Sequence, residues 1–216
     1  MIVAAAVCPP PPALVPQVGL GLPEMEPVRR AAAAAVASLV AAAPERIVVI
    51  GPRATAVDAD EAAGGTFKGF GVDVTAGGSD LQLPPAYSVG AWLLDHAGWS
   101  GRRCYTSARF MVGAADALLV MADSDTAVGV SAPTHGDPRA AKCDDIVAAA
   151  LAAGDAQALA DLDVELAEQE WAASGVAPLR LFGDMTKGAR ITAHLRSDEA
   201  PFGVRYWVAD WQLTWQ

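Results

Sequence analysis

Three short runs without a polar residue constrain this chain more than anything else in it: Met1–Val7, Ile47–Ile50 and Leu118–Met121. A strand with one face in water alternates apolar and polar residues, whereas an unbroken apolar strand needs cover on both faces. Between the first two runs lies a helical stretch, Glu24 to Ala43. Glu24 and Glu26 stand near its positive end and Pro44 just beyond its last turn. Strand, helix and strand in that order imply a right-handed crossover. The expected fold is therefore α/β: one three-layer domain over residues 1–216, with a central, mostly parallel, mixed sheet flanked by helices.

The ends of the runs are equally informative. Pro9–Pro12 follows the first strand, and proline neither donates to a ladder nor continues a central strand, so the strand stops near Cys8. A stiff extended exit follows, within a Pro- and Gly-rich connection that reaches to about Pro23. The second strand is closed by Gly51 and Pro52, and the third runs into acidic and hydroxyl residues, Asp123, Ser124 and Asp125. Residues 52–85 are rich in glycine and read as loop with one or two edge strands. Tyr87–Ala97 reads as a helix and Arg103–Thr106 as a short strand. Asp137 is an N-cap and Pro138 a first helical residue for a helix that Gly154 ends. A further helix runs from about Ala156 to Ala172, capped by Asp155, and two closing strands flank a turn near Asp198–Gly203.

Charge and cysteine usage exclude several classes. Among 216 residues, 25 Asp and Glu outweigh 15 Lys and Arg, for a net charge of −10. That balance opposes binding of nucleic acid through phosphates and of an anionic membrane surface. Cys8, Cys104 and Cys143 are odd in number and lack metal-ligand spacing, which points to a reducing, cytoplasmic setting. The first apolar run has no basic segment before it and is too short for a secretory signal. No apolar segment reaches the ~20 residues that span a bilayer.

At the carboxyl edge of a parallel sheet the three strand ends lie together, and that edge carries the ligand crevice of open α/β folds. A shared pocket there would be lined by Cys8, Arg53, Asp123, Ser124 and Asp125. The competing reading is that strand ends simply carry turn-forming polar residues. Three histidines limit metal chemistry. His96 falls on a helix and His194 on a terminal strand, both as ordinary surface positions. His135 is the weak metal candidate, with Asp123, Asp125 and Asp137 as further donors, although Asp137 is better explained as a cap. Cys8 would be a nucleophile only beside a base or a cation such as Arg53, and a small buried cysteine is the plainer reading. The stretch GFGVDVTAGG lacks the lysine of a phosphate-binding loop.

The order VCPPPPALVP, PERIVVIGP, LLVMADSDTAVGVSAP, DPRAAKCDDIVAAAL and APFGVRYWVADW resembles the subunit-B-like proteins of the class III extradiol ring-cleavage dioxygenases, in particular their alanine-rich actinobacterial branch. The resemblance covers nearly the whole chain, through short motifs. It implies a single α/β domain and, in active members, a non-haem Fe(II) held by two histidines and a carboxylate that cleaves catechol-type rings with O₂. Pro10 stands where the family's first ligand histidine would be, and Arg53 follows Pro52 where the second would be. Thr126 replaces the acid–base histidine, and Glu199 is the candidate carboxylate only through its place near the end. Proline cannot ligate, and a guanidinium is permanently charged and repels a cation.

Two functional classes follow. The first is a catalytically degenerate member of that family, without cofactor, that binds a small anionic molecule near Arg53 or acts in an assembly. A tryptophan-bearing face with Trp207, Trp211 and Trp215 would serve a homo-oligomer if exposed, though a terminal strand of this kind is commonly core. The second is an enzyme with a relocated site, either Fe(II)-dependent through His135, Asp123 and Asp125 or built on Cys8.

Overall fold

A computed structural model describes residues 1–53, 56–124, 138–170 and 175–216. Its elements in chain order begin with β1 (Ile2–Cys8), α1 (Glu26–Ala41), β2 (Arg46–Ile50) and β3 (Asp58–Ala59). Next come β4 (Ala63–Thr66), β5 (Thr75–Gly77), β6 (Asp80–Leu81), α2 (Pro85–His96), β7 (Arg102–Thr106) and β8 (Asp116–Met121). The chain continues with α3 (Pro138–Ala153), α4 (Ala156–Ala160), α5 (Val164–Glu170) and α6 (Val176–Thr186), and closes with β9 (Arg190–Glu199) and β10 (Tyr206–Thr214).

A seven-stranded sheet in the order β3-β7-β2-β8-β1-β10-β9 forms the centre. Its four middle strands, β7, β2, β8 and β1, run parallel. The flanking pairs β3–β7, β1–β10 and β10–β9 are antiparallel, so the sheet is mixed and its parallel part is the core. All six residues of β8 are buried, as the unbroken apolar run requires. Side-chain alternation divides the interior in two. Ala5, Val7, Val48, Ile50, Leu118 and Val120 pack with α3, α4, α5 and α6. Ala4, Ala6, Cys8, Val49, Leu119 and Met121 pack with α1, α2 and a small sheet of order β5-β4-β6. Helix α2 lies close to the strands because Gly90 has no side chain; a Cβ there would stand 2.8 Å from Cγ1 of Val49.

Several expectations need correction. The helix expected over Ala156–Ala172 is two helices, α4 and α5, broken at Asp161–Asp163. Aspartate side chains favour caps over helix interiors, and Asp163 accepts the Leu166 N–H at 3.0 Å while Asp155 accepts that of Ala158 at 2.9 Å. The expected span beyond Glu170 and the Asp137 cap lie outside the described residues. No element was expected where α6 lies; Pro178 sits in its first turn, where no N–H is needed. The first long helix opens at Glu26, after a 3₁₀ turn over Pro23–Met25. Residues 52–85 supply the edge strand β3 and also the whole second sheet.

Trp207 and Trp211 do not form an exposed face. Both are fully buried, and Trp211 donates its indole N–H to the Leu151 carbonyl at 2.9 Å and packs on Phe182. Trp215, half-buried, donates to the Ile2 carbonyl at 2.6 Å. The tryptophans thus fasten the closing strands to the core. Among the described residues, no helix is long and apolar enough to cross a membrane.

The proline run leaves β1 in the extended form expected, with Pro11 at φ −64°, ψ 138°, and Pro12 then opens a single 3₁₀ turn over Pro12–Leu14. One side chain holds this connection. Arg29 of α1, only 9% exposed, donates to the carbonyls of Ala13 at 2.7 Å, Gly21 and Leu22 at 3.0 Å and Leu14 at 3.3 Å. A guanidinium presents its donors in a fixed fork, and an ammonium does not. Arg29→Ala is expected to lower stability by about 2–3 kcal/mol, because several half-buried carbonyls lose their donor. Arg29→Lys should recover less than half of that loss, both read from urea denaturation.

Candidate functional site

Parallel strands leave a sheet at one edge, and here the ends of β1, β8 and β2 are neighbours. Cys8 lies opposite Met121, Ile50 opposite Val120, and the Ala122 N–H donates to the Cys8 carbonyl at 2.9 Å. The backbone therefore gathers the three strand ends as the sequence suggests, but their side chains part company. Cys8 is fully buried under α1 and α2, where desolvation, reinforced by the charge of Asp210, pushes its thiol far up. It remains a neutral thiol, which is no nucleophile. Pro10 is half-buried beside it and offers no donor.

Asp123 and Ser124 belong to a second group. Ser124 is buried and donates to Asp144 at 2.6 Å, while its N–H donates to the Arg205 carbonyl at 2.9 Å. Arg205 in turn is paired with Asp145 and Asp198. Burial pushes the Asp123 carboxyl up to about 7, with the nearby charge of Asp144 adding to the effect and a hydrogen bond to its own backbone N–H opposing it. Gly175 packs on this residue so closely that a Cβ would stand 2.1 Å from the Asp123 carbonyl oxygen. That contact sets the first turn of α6 against the exit of β8.

Arg53 takes a third course. It is exposed and lines a cleft of about 400 Å³ at the carboxyl ends of β2 and β7, a volume suited to a small molecule. None of Cys8, Pro10, Asp123 and Ser124 lines this cleft. Ser107 and Arg109, just past β7, form one side with Arg53; Arg180 and Asp184, one helical turn apart on α6, form the other, with Leu181 and Val164 as apolar wall. The phenol of Tyr87 holds the two strand exits together, its O–H lying 3.3 Å from the carbonyls of Pro52 and Thr106. Burial keeps that phenol protonated, pushed up to about 12. Gly51 leaves room for the ring, since a Cβ there would lie 2.8 Å from Cζ of Tyr87.

Three guanidiniums thus face one cleft in a chain of net charge −10. Among the described residues, neither Arg53 nor Arg180 meets a carboxylate at ion-pair distance, and Arg109 stands 3.8 Å from Asp184. The Lys187 ammonium, 2.8 Å away, holds the Asp184 carboxyl below the usual carboxylate range, helped by the charges of Arg109 and Arg180. Such a cleft concentrates positive potential and attracts anions.

Metal chemistry gains little from the described residues, which contain no group of three or more His, Cys, Asp or Glu placed to hold an ion. His96 is exposed and stacks on Trp92 at 4.9 Å; exposed His194 lies 3.7 Å from Asp210. Glu199 ends β9 on the surface, opposite Tyr206. The glycine-rich stretch around Gly71 and Gly77 turns the chain into the small sheet. Asp125, Thr126 and His135 lie outside the described residues. Compared with known proteins, the chain matches no family model, and a search of curated proteins gives no match.

Ser107, Arg109, Arg180 and Asp184 were not legible as site residues. Two follow a short strand and two sit on α6, a helix that no expectation covered. The one available signal was that Arg109, like Arg53, follows a strand end.

The Asp123 carboxyl makes a checkable statement about pH. Its ordinary value is 3.8 and its folded value about 7, so between them the folded chain keeps a proton that the unfolded chain has released. Stability therefore falls as pH rises from about 4 to about 7 and levels off above. Asp123→Asn is expected to melt several degrees above the parent at about pH 8, with the gap closing below about pH 4. Thermal melts across that range read it directly.

Proposed function

We propose that this chain binds a small anionic molecule, a carboxylate or a phosphate, in the Arg53–Arg109–Arg180 cleft. On this reading the fold is that of a class III extradiol dioxygenase subunit-B-like protein that has lost ring cleavage. The observation that carries the proposal is the convergence of three guanidiniums, which accept no proton chemistry, on one cleft at the exits of β2 and β7. Guanidinium forks match carboxylate and phosphate oxygens in pairs. The resemblance adds the second half: Pro10 and Arg53 stand at positions where imidazoles would hold iron, and neither side chain can ligate a cation. The cleft's apolar wall, Leu181 and Val164, suits the body of a small organic anion.

Titration calorimetry with inorganic phosphate and with succinate tests the binding half. Arg53→Ala and Arg180→Ala are each expected to weaken binding by roughly tenfold or more, since a charge-assisted hydrogen bond is lost. Binding of neither phosphate nor succinate by the parent chain would overturn the reading. The loss of ring cleavage is tested separately, by metal mass spectrometry after anaerobic exposure to Fe(II). Well under one equivalent per chain is expected. Near-stoichiometric iron that disappears in His135→Ala would favour the relocated, iron-dependent enzyme instead.

A further inference from the structure

The second charged face of the cleft narrows the class of ligand, on the premise that the cleft binds an anion at all. We propose that the anion carries its own hydrogen-bond donor beside its charged oxygens, and that Asp184 is the group that reads it. Asp184 is part of the cleft lining and about a third exposed, its side chain being 29% accessible. Lys187 occupies one carboxylate oxygen, Oδ1, at 2.8 Å. The other, Oδ2, is 3.8 Å from the nearest Arg109 nitrogen, beyond hydrogen-bond reach. Oδ2, the oxygen nearer the cleft residue Arg109, therefore retains acceptor capacity.

An ionised carboxylate accepts hydrogen bonds and donates none, while the three arginines donate and accept none. A fully deprotonated anion satisfies the arginines but meets repulsion from Asp184. An anion with an O–H or N–H next to its charged oxygens satisfies both. Inorganic phosphate is the simplest case: near neutral pH it keeps at least one proton on its oxygens. Sulfate has the same tetrahedral shape and keeps none. Three guanidiniums alone would favour sulfate, the more highly charged ion, so a preference for phosphate has to come from an acceptor in the site.

The experiment is a calorimetric comparison of sodium phosphate and sodium sulfate at about pH 7 and fixed ionic strength, on the parent chain, Asp184→Asn, Asp184→Ala and Arg53→Ala. Phosphate is expected to bind about tenfold more tightly than sulfate, the scale of one charge-assisted hydrogen bond. Asp184→Ala should close that gap. Asp184→Asn, whose amide oxygen still accepts but carries no charge, should narrow it by strengthening sulfate, and Arg53→Ala should weaken the two anions together. Circular dichroism and melting of each variant establish that the fold is kept. Equal affinities in the parent, or an undiminished gap in folded Asp184→Ala, would overturn this inference and leave the anion-binding reading standing. Binding of neither anion to the parent would overturn this inference, and with succinate also unbound it would overturn both.

Discussion

Everything at the functional edge depends on β8 having parallel partners on both sides. Its six buried residues, Asp116 to Met121, are paired with β2 along one edge and β1 along the other, and β7 extends the parallel set beyond β2. Even the charged residue at its start is satisfied, since Asp116 receives both a 3.1 Å and a 2.5 Å hydrogen bond from Arg46. Because parallel strands leave a sheet on the same side, four chain exits are delivered to one edge before any side chain is considered. What each exit then does is decided by the layer it turns toward. Cys8 turns into the α1–α2 layer and disappears, whereas Arg53 and Arg109 turn outward toward α6.

The cleft gathers like charges, and the exposure of Arg53 and Arg109 to water keeps their mutual repulsion small. Two features of the fold hold them there. Tyr87 fastens the β2 and β7 exits through the carbonyls of Pro52 and Thr106, so Arg53 and Ser107 are placed by backbone rather than by mutual attraction. On the other side, Gly175 lets α6 begin in contact with Asp123, and the helix carries Arg180 and Asp184 to the cleft on one face. Among the described residues Asp184, itself held by Lys187, is the acidic member of that lining and moderates the repulsion. Three guanidiniums on one cleft stand out in a chain of net charge −10, and the proposed capture of a small anion rests on them.

Legibility of the fold followed the strength of local signals. The unbroken apolar strands, the alanine-rich helix and the caps at Pro138, Gly154 and Asp155 are set by nearest-neighbour chemistry, and the structure places elements there. The small sheet was invisible because β4 is AGGT, which has no apolar pattern; its glycines serve close backbone approach, and a Cβ on Gly64 would stand 1.9 Å from the Gly78 carbonyl oxygen. Similarly, alanine-rich composition favours one helix over Ala156–Ala172, while Asp163 prefers capping geometry and opens α5.

By itself the sequence determined an α/β sheet with a parallel centre, since apolar runs without alternation need cover on both faces and a helix separates the first two. It also determined that the proline run ends β1 and that Arg53 leaves β2 in a chain poor in cations. Only the tertiary structure decided that Cys8 is sealed from solvent and that Trp207 and Trp211 are core. It alone brought Arg53 together with Arg109 and Arg180, residues from a loop and a helix far along the chain. The physical reason is the range of the interactions involved. Strand, helix and cap formation answer to residues a few positions away, whereas a site of converging charges is specified by packing between elements that no local pattern records.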